Sequence, residues 1–381
     1  MCKFFDPTPE AIEALENLAA EIPGIQQALI TNNRQLKMPD RAAHQQQLVG
    51  SVAKLAVAAR LPTELEGLGI FETKGGDREH LGIGRVSTGL GCPHIETHPD
   101  FLGIMLAFRT SRGQRIDFIG INHPAAPTDT VAQFIALLQA TAEAARTDSV
   151  LLEDAIVGQK MFGSLGPRGA AIALHVLGQT ARTQRSNSAI QQYWTGIVGA
   201  REVVGKFTLV PVANPNQSGT QTSDPQRFSH DWISRQSKAD LEFRLYWIPF
   251  LNSDDTPLDK LTDGWKETHK VEVGTVTFPM TDFETRHAKL VSLLASEMGA
   301  NPGNWISQPA NSSPEIPATE FTAGRFVVYR KSQQGRNALS EDRYESFFAQ
   351  GNIDDELAAE LIVRYHHKRN AGHAVADLGA L

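Results

Sequence analysis

Runs of short apolar segments, with no helix set regularly between them, constrain this chain more than any other feature. Residues 81–88, 102–110 and 115–121 follow one another across Gly- or Pro-containing turns. Arg112-Gly113-Gln114 reads as the hairpin between the last two. Residues 206–213, 241–250 and 271–280 form a second run, and the last alternates most clearly. There Val271, Val273, Thr275 and Thr277 oppose Glu272, Gly274, Val276 and Phe278, the period-two pattern of a strand. Residues 48–57 fit either period, and their β-branched side chains and Gly50 favour a strand.

Helical patterns fall in blocks of their own. Thr8-Pro9-Glu10 starts a helix over residues 8–35, with a break expected at Pro23-Gly24. Further helices are expected over 129–146, 150–161, 170–177 and 283–298, around Tyr329, and over 340–367, with a Pro- and Asn-rich connection at 301–317. Strands in runs and helices in runs indicate an α+β fold with an antiparallel sheet closed into a barrel. A doubly wound α/β fold is disfavoured, since βαβ alternation and a Gly-rich nucleotide loop are both missing. The expected organisation is an N-terminal helical segment (1–37), a core (38–340) and a C-terminal helical tail (341–381).

With 381 residues the chain can bury a large core, and 21% charged residues are ordinary for a soluble globular protein. The 43 acidic against 36 basic residues disfavour a nucleic-acid partner. Cys2 and Cys92 cannot build a disulfide framework. No apolar run suggests a secretion signal or a membrane span, so a cytoplasmic chain is expected.

Arg325 and Tyr329 stand four residues apart and share a face if their segment is helical. A guanidinium beside a phenol favours the phenolate, and tyrosinate is an anionic axial ligand for ferric haem iron. Alone, such a pair is a poor signal, since an Arg and a Tyr at helical spacing usually form a surface contact. Cys92, His94 and His98 offer a rival metal site, but a closed zinc site needs four ligands and no fourth is evident. His366, His367 and His373 read as a solvated tail.

Taken in order, other motifs change the weighting. Arg41-Ala42-Ala43-His44 resembles the R-x-x-H of the haem catalase family, Gly84-Arg85-Val86-Ser87-Thr88 its R-x-S-T strand, and Asp117-Phe118-Ile119-Gly120-Ile121-Asn122-His123-Pro124 its D-x-x-G-x-N-x-P. Residues 206–211 resemble a barrel strand of the short, catalase-related peroxidase branch, and Arg325-x-x-x-Tyr329 with Arg336 its proximal helix. The resemblance runs from about residue 38 to 340. It implies a barrel of about eight strands with surrounding helices, haem b as cofactor, and Tyr329 as iron ligand assisted by Arg325. By the same resemblance His44 is the acid/base, Asn122 positions peroxide, Arg41, Arg85 and Arg336 hold propionates, Ser87 approaches the haem, and Phe134 lies against its face. The residue types suit those tasks: Arg's planar fork matches carboxylates, and an imidazole moves protons near neutral pH.

Departures from the family bear on the reaction. Ala43 stands where true catalases usually carry Val, and Ala125-Ala126-Pro127 where they place aromatics over the distal pocket. Thr208 stands where large catalases carry a His near the proximal Arg. A roomier pocket suits an organic co-substrate or hydroperoxide. The expectation is therefore a haem peroxidase using hydrogen peroxide or organic hydroperoxides with a small reducing co-substrate, with weak catalase activity and an assembly of two or four copies. Its alternatives are a fatty-acid hydroperoxide isomerase or lyase of the allene oxide synthase type, a haem-binding protein without turnover, and a haem-free barrel.

Overall fold

The computed structural model describes residues 5–32, 37–72, 78–89, 91, 96–98, 100–110, 113, 115–147, 149–183, 188–200, 203–212, 223–305 and 317–368. Two helices come first, α1 (Pro9–Ala19) and α2 (Ile22–Asn32). Thr8 caps the former by accepting from the Ala11 N–H at 3.3 Å. The break falls at residues 20–21, and Pro23 sits in the first turn of α2, where its missing N–H costs nothing.

The expected strands are present: β1 (Gln47–Val57), β2 (Glu79–Thr88), β3 (Leu102–Arg109) and β4 (Arg115–Ile121). Helices α3 (Val131–Ala144), α4 (Val150–Leu165) and α5 (Pro167–Thr183) follow as one block. Then come β5 (Tyr193–Thr195), β6 (Val198–Ala200), β7 (Val203–Pro211), α6 (Arg227–Gln236), β8 (Leu241–Pro249) and β9 (Val271–Phe278). The chain ends in α7 (Arg286–Glu297), α8 (Glu320–Gly335), α9 (Glu345–Gln350) and α10 (Asp355–Lys368). The helix expected over 340–367 is interrupted at Gly351, whose φ of 71° closes α9 in the left-handed conformation.

All pairings between these strands are antiparallel, in the order β5-β4-β3-β2-β1-β9-β8-β7-β6. A further pairing of β5 with β7 closes eight of them into a barrel, the α+β architecture expected. Phe108, Phe118, Phe207, Phe243, Trp247 and Phe278 fill a buried aromatic core with Trp232 of α6. Phe278 needs the glycine opposite it, because a methyl group at Gly84 would overlap its ring. The alternation in β9 is broken once: Leu245 pairs with Gly274 and Tyr246 with Glu272, so Val273 is an extra residue. Val273, Val276 and Phe278 are all buried as a result, while Val271 is exposed.

Candidate active site

Helix α8 is capped by Thr319, which accepts from the Thr322 N–H at 3.0 Å. Arg325, Val328, Tyr329, Ser332, Gln333 and Arg336 recur at three- and four-residue spacing, and all line one cavity. Arg85 and Ser87, alternate residues of β2, line it too, as do His44, Phe134 of α3 and Lys206 of β7. Of the nine residues expected at the site, only Asn122 is missing from the wall.

The reason is strand alternation. Ile119, Ile121 and His123 continue the β4 direction on the cavity side, which turns Asn122 the other way. Its Oδ1 accepts from the Leu102 N–H at 2.8 Å, and its Nδ2 donates to Gln191 Oε1 at 2.5 Å. In this geometry the carboxamide ties β4 to β3. Asn122→Ala is accordingly expected to cost about 1–3 kcal/mol of stability through the Leu102 N–H it leaves unmatched, read by chemical denaturation.

His44 sits just before β1 with a φ of 55°, a left-handed conformation costly for a non-glycine residue. Its N–H donates to Gly89 O at 2.9 Å, and its ring packs against Gly103, where a methyl group would overlap the imidazole. Nδ1 lies 3.1 Å from Thr88 O, and a carbonyl can only accept, so Nδ1 carries the proton and Nε2 is left as the acceptor. Burial first, then the Arg85 charge, with smaller contributions from Arg325 and Arg41, holds the ring's pKa down at about 4 against the raising effect of the Thr88 bond.

The arginines form a charged end to the cavity. Arg85 donates to Gln47 Oε1 at 3.1 Å and to His44 O at 2.7 Å. Arg41 and Arg336 both reach the C-terminus of α7, each donating to Met298 O, at 3.3 and 2.7 Å. Behind them stand two buried carboxylates and a buried lysine. Lys368, at the end of α10, donates to Glu297 Oε2 at 2.6 Å. Burial would raise the Asp40 carboxyl, but Arg41, Lys368, Arg336 and Arg85 outweigh it and hold its pKa at about 2. Burial, then Arg41, pulls the Arg336 guanidinium down to about 9. The cations Arg41, Arg85, Arg336 and Lys368 thus surround Asp40, while Lys368 and Arg364 pair with Glu297, so this end of the cavity carries more positive than negative charge.

Tyr329 projects from the same helix face as Arg325, whose guanidinium carbon lies 5.6 Å from the ring centroid. Its hydroxyl makes no hydrogen bond to any described residue. Thr208 donates to Tyr193 O at 2.9 Å, and it is Lys206, two residues earlier on β7, whose charge acts on that of Arg325. Neither Lys206 nor Lys368 was singled out as a site residue from sequence. Among the described residues no Asp or Glu lines the cavity.

A likeness to solved structures matches this architecture. A fungal catalase superposes with a TM-score of 0.60 and 13% identity, over 79% of this chain and 59% of that one. Catalase A from Saccharomyces cerevisiae superposes with a TM-score of 0.53 and 13% identity, over 90% of this chain and 69% of its own. This is the catalase fold. The chain spans about three-fifths of the length of the first of these catalases. At 13% identity the likeness carries the catalase fold and nothing finer. No protein-family model and no curated protein sequence matches the chain.

Cys92, His94 and His373 lie outside the described residues. His98 is buried with Nε2 3.0 Å from Glu153 Oε2, and His366 and His367 are exposed. Among the described residues no group of three or more His, Cys, Asp or Glu could hold a metal ion, and no helix is long and apolar enough to cross a membrane.

Proposed function

We propose that this chain is a haem-dependent peroxidase that reduces hydrogen peroxide or organic hydroperoxides, with weak catalase activity at most. One observation carries the reading: a single cavity whose wall holds a phenol, two imidazoles and five Lys or Arg side chains, with no carboxylate among the described residues. Tyr329, with no other partner for its hydroxyl among those residues, would ligate ferric iron. Arg41, Arg85 and Arg336 would hold the propionates, and the surplus of positive over negative charge in their cluster suits two carboxylates. Phe134 and Ser87 would border the macrocycle.

Haem would supply the electrons that cleave the peroxide O–O bond and would draw them back from a small co-substrate. The chain's part is the proton. His44 Nε2 is the acceptor in the tautomer that Thr88 O selects, so it can take the peroxide proton and return it to the departing oxygen. Gly103 sets where that nitrogen stands. Gly103→Ala is expected to leave haem uptake in place and slow peroxide cleavage about tenfold or more, read by stopped-flow absorption, because the ring must move.

The test is a haem titration of the purified protein, followed through the Soret band, then addition of peroxide with and without a phenolic co-substrate. Stoichiometric uptake, a spectral change with peroxide and its reversal by the phenol are expected; failure to bind haem overturns the proposal. A second reading, rearrangement of a fatty-acid hydroperoxide without external reductant, is favoured by the small residues Ala43, Ala125, Ala126 and Pro127 on the wall. Epoxide or aldehyde products from a lipid hydroperoxide alone would select it.

A further inference from the structure

Lys206 is a buried ammonium on the cavity wall, 3% exposed. Its Nζ donates to Pro124 O at 3.2 Å and lies 5.0 Å from the Trp265 ring centroid. No carboxylate of a described residue comes within ion-pair distance of it. Glu267 is the acid that acts on it through space, but that group is engaged elsewhere. Trp194 Nε1 donates to Glu267 Oε1 at 2.5 Å, and Lys270 Nζ to Oε2 at 2.8 Å. Arg325, also on the wall, adds a second positive charge rather than compensating the first. Burial and that repulsion, against a smaller raising effect of Glu267, bring the amine to about 7. A buried charge without a counter-ion is costly, and an incoming anion would recover that cost.

We propose that Lys206 seats the carboxylate of an amphipathic substrate, an organic hydroperoxide whose apolar chain carries a carboxylate. Ala126, Ile197, Leu261 and Phe321 line the same cavity and suit such a chain. Lys206 has Arg325 and Glu267 as charged neighbours, whereas Arg336 has Arg41, Asp40 and Glu297, so this subsite is separate from the arginine end. Only the hydroperoxide half of the statement rests on the peroxidase reading.

Binding separates the two. Dodecanoate and dodecanol would be titrated into the haem-loaded full chain by calorimetry, with Trp fluorescence as a second readout because Trp265 lies under the amine. Dodecanoate is expected to bind about tenfold or more tightly than dodecanol, a preference lost in Lys206→Met and kept in Lys206→Arg. Dodecanoate should raise the melting temperature of the unaltered protein and not that of Lys206→Met, whose own melting temperature should be the higher without ligand. In turnover, the kcat/KM ratio of linoleic acid hydroperoxide to cumene hydroperoxide should fall about tenfold in Lys206→Met. Equal affinity of Lys206→Met and the unaltered protein for dodecanoate, with haem bound and reacting with peroxide, overturns the subsite alone. Lys206-dependent binding of dodecanoate by a protein that takes up no haem overturns the peroxidase reading alone.

Discussion

Tyr329→Phe is expected to give a folded protein that binds ferric haem more weakly than the unaltered chain by well over the roughly 10–100-fold that losing an outer-shell partner of a metal ligand costs. The substitution removes one oxygen and keeps the ring. That ring packs against a buried cluster that includes Leu15, Ile25, Val131 and Val328 of α1, α2, α3 and α8, and a phenyl group serves such packing equally well. Its hydroxyl has no hydrogen bond to a described residue, so nothing in the apo fold depends on it. The far-ultraviolet circular dichroism and the melting temperature should therefore stay close to those of the unaltered chain. A haem titration should move instead, with a weaker Soret band at a different wavelength. An unchanged ferric spectrum and affinity in Tyr329→Phe would remove the phenol from the iron and the proposed function with it.

Most of the barrel could be read from sequence because period-two alternation reports directly which side chains point inward. Two kinds of feature escaped. The three-residue strands β5 and β6 are too short to show a period, and α6, Arg227–Gln236, is too polar for its apolar stripe of Phe228 and Trp232 to stand out. The extra residue at Val273 leaves the sequence pattern looking regular while shifting which side chains are buried beyond it. At the site, residues whose neighbours share their own element reach one cavity wall as their spacing implies: Arg325 and Tyr329 on α8 with Arg336 at its C-cap, Arg85 and Ser87 on β2. Asn122 lies off that wall because a motif gives spacing along the chain, whereas one step along an extended segment changes the face. Lys206 and Lys368 were missed because what makes them unusual is burial beside charges from distant segments, such as Asp40 and Glu297 for Lys368. No local pattern carries that information.

His44→Ala should keep haem and lose peroxide cleavage by about 10²–10⁴-fold, the range that a positioned acid/base contributes. The pH dependence is the sharper part of the prediction. An imidazole held at about 4, below its ordinary 6.5, keeps Nε2 unprotonated through the neutral and mildly acidic range. The cleavage rate should therefore stay level as pH falls from about 7 to 5 and drop as it passes through about 4. Stability follows the same sign: the unfolded chain takes up the proton first, so the contribution of His44 is full above pH 6.5 and is lost as pH falls toward 4. Because Arg85 is the largest cause after burial, Arg85→Gln should move the drop to higher pH, a change that loss of packing alone would not produce. Stopped-flow cleavage rates between pH 3.5 and 8 on the two variants and the unaltered protein read both effects. A His44→Ala protein that cleaves peroxide at the original rate would place the proton transfer on another group, and His123 on the same wall would be the first to substitute.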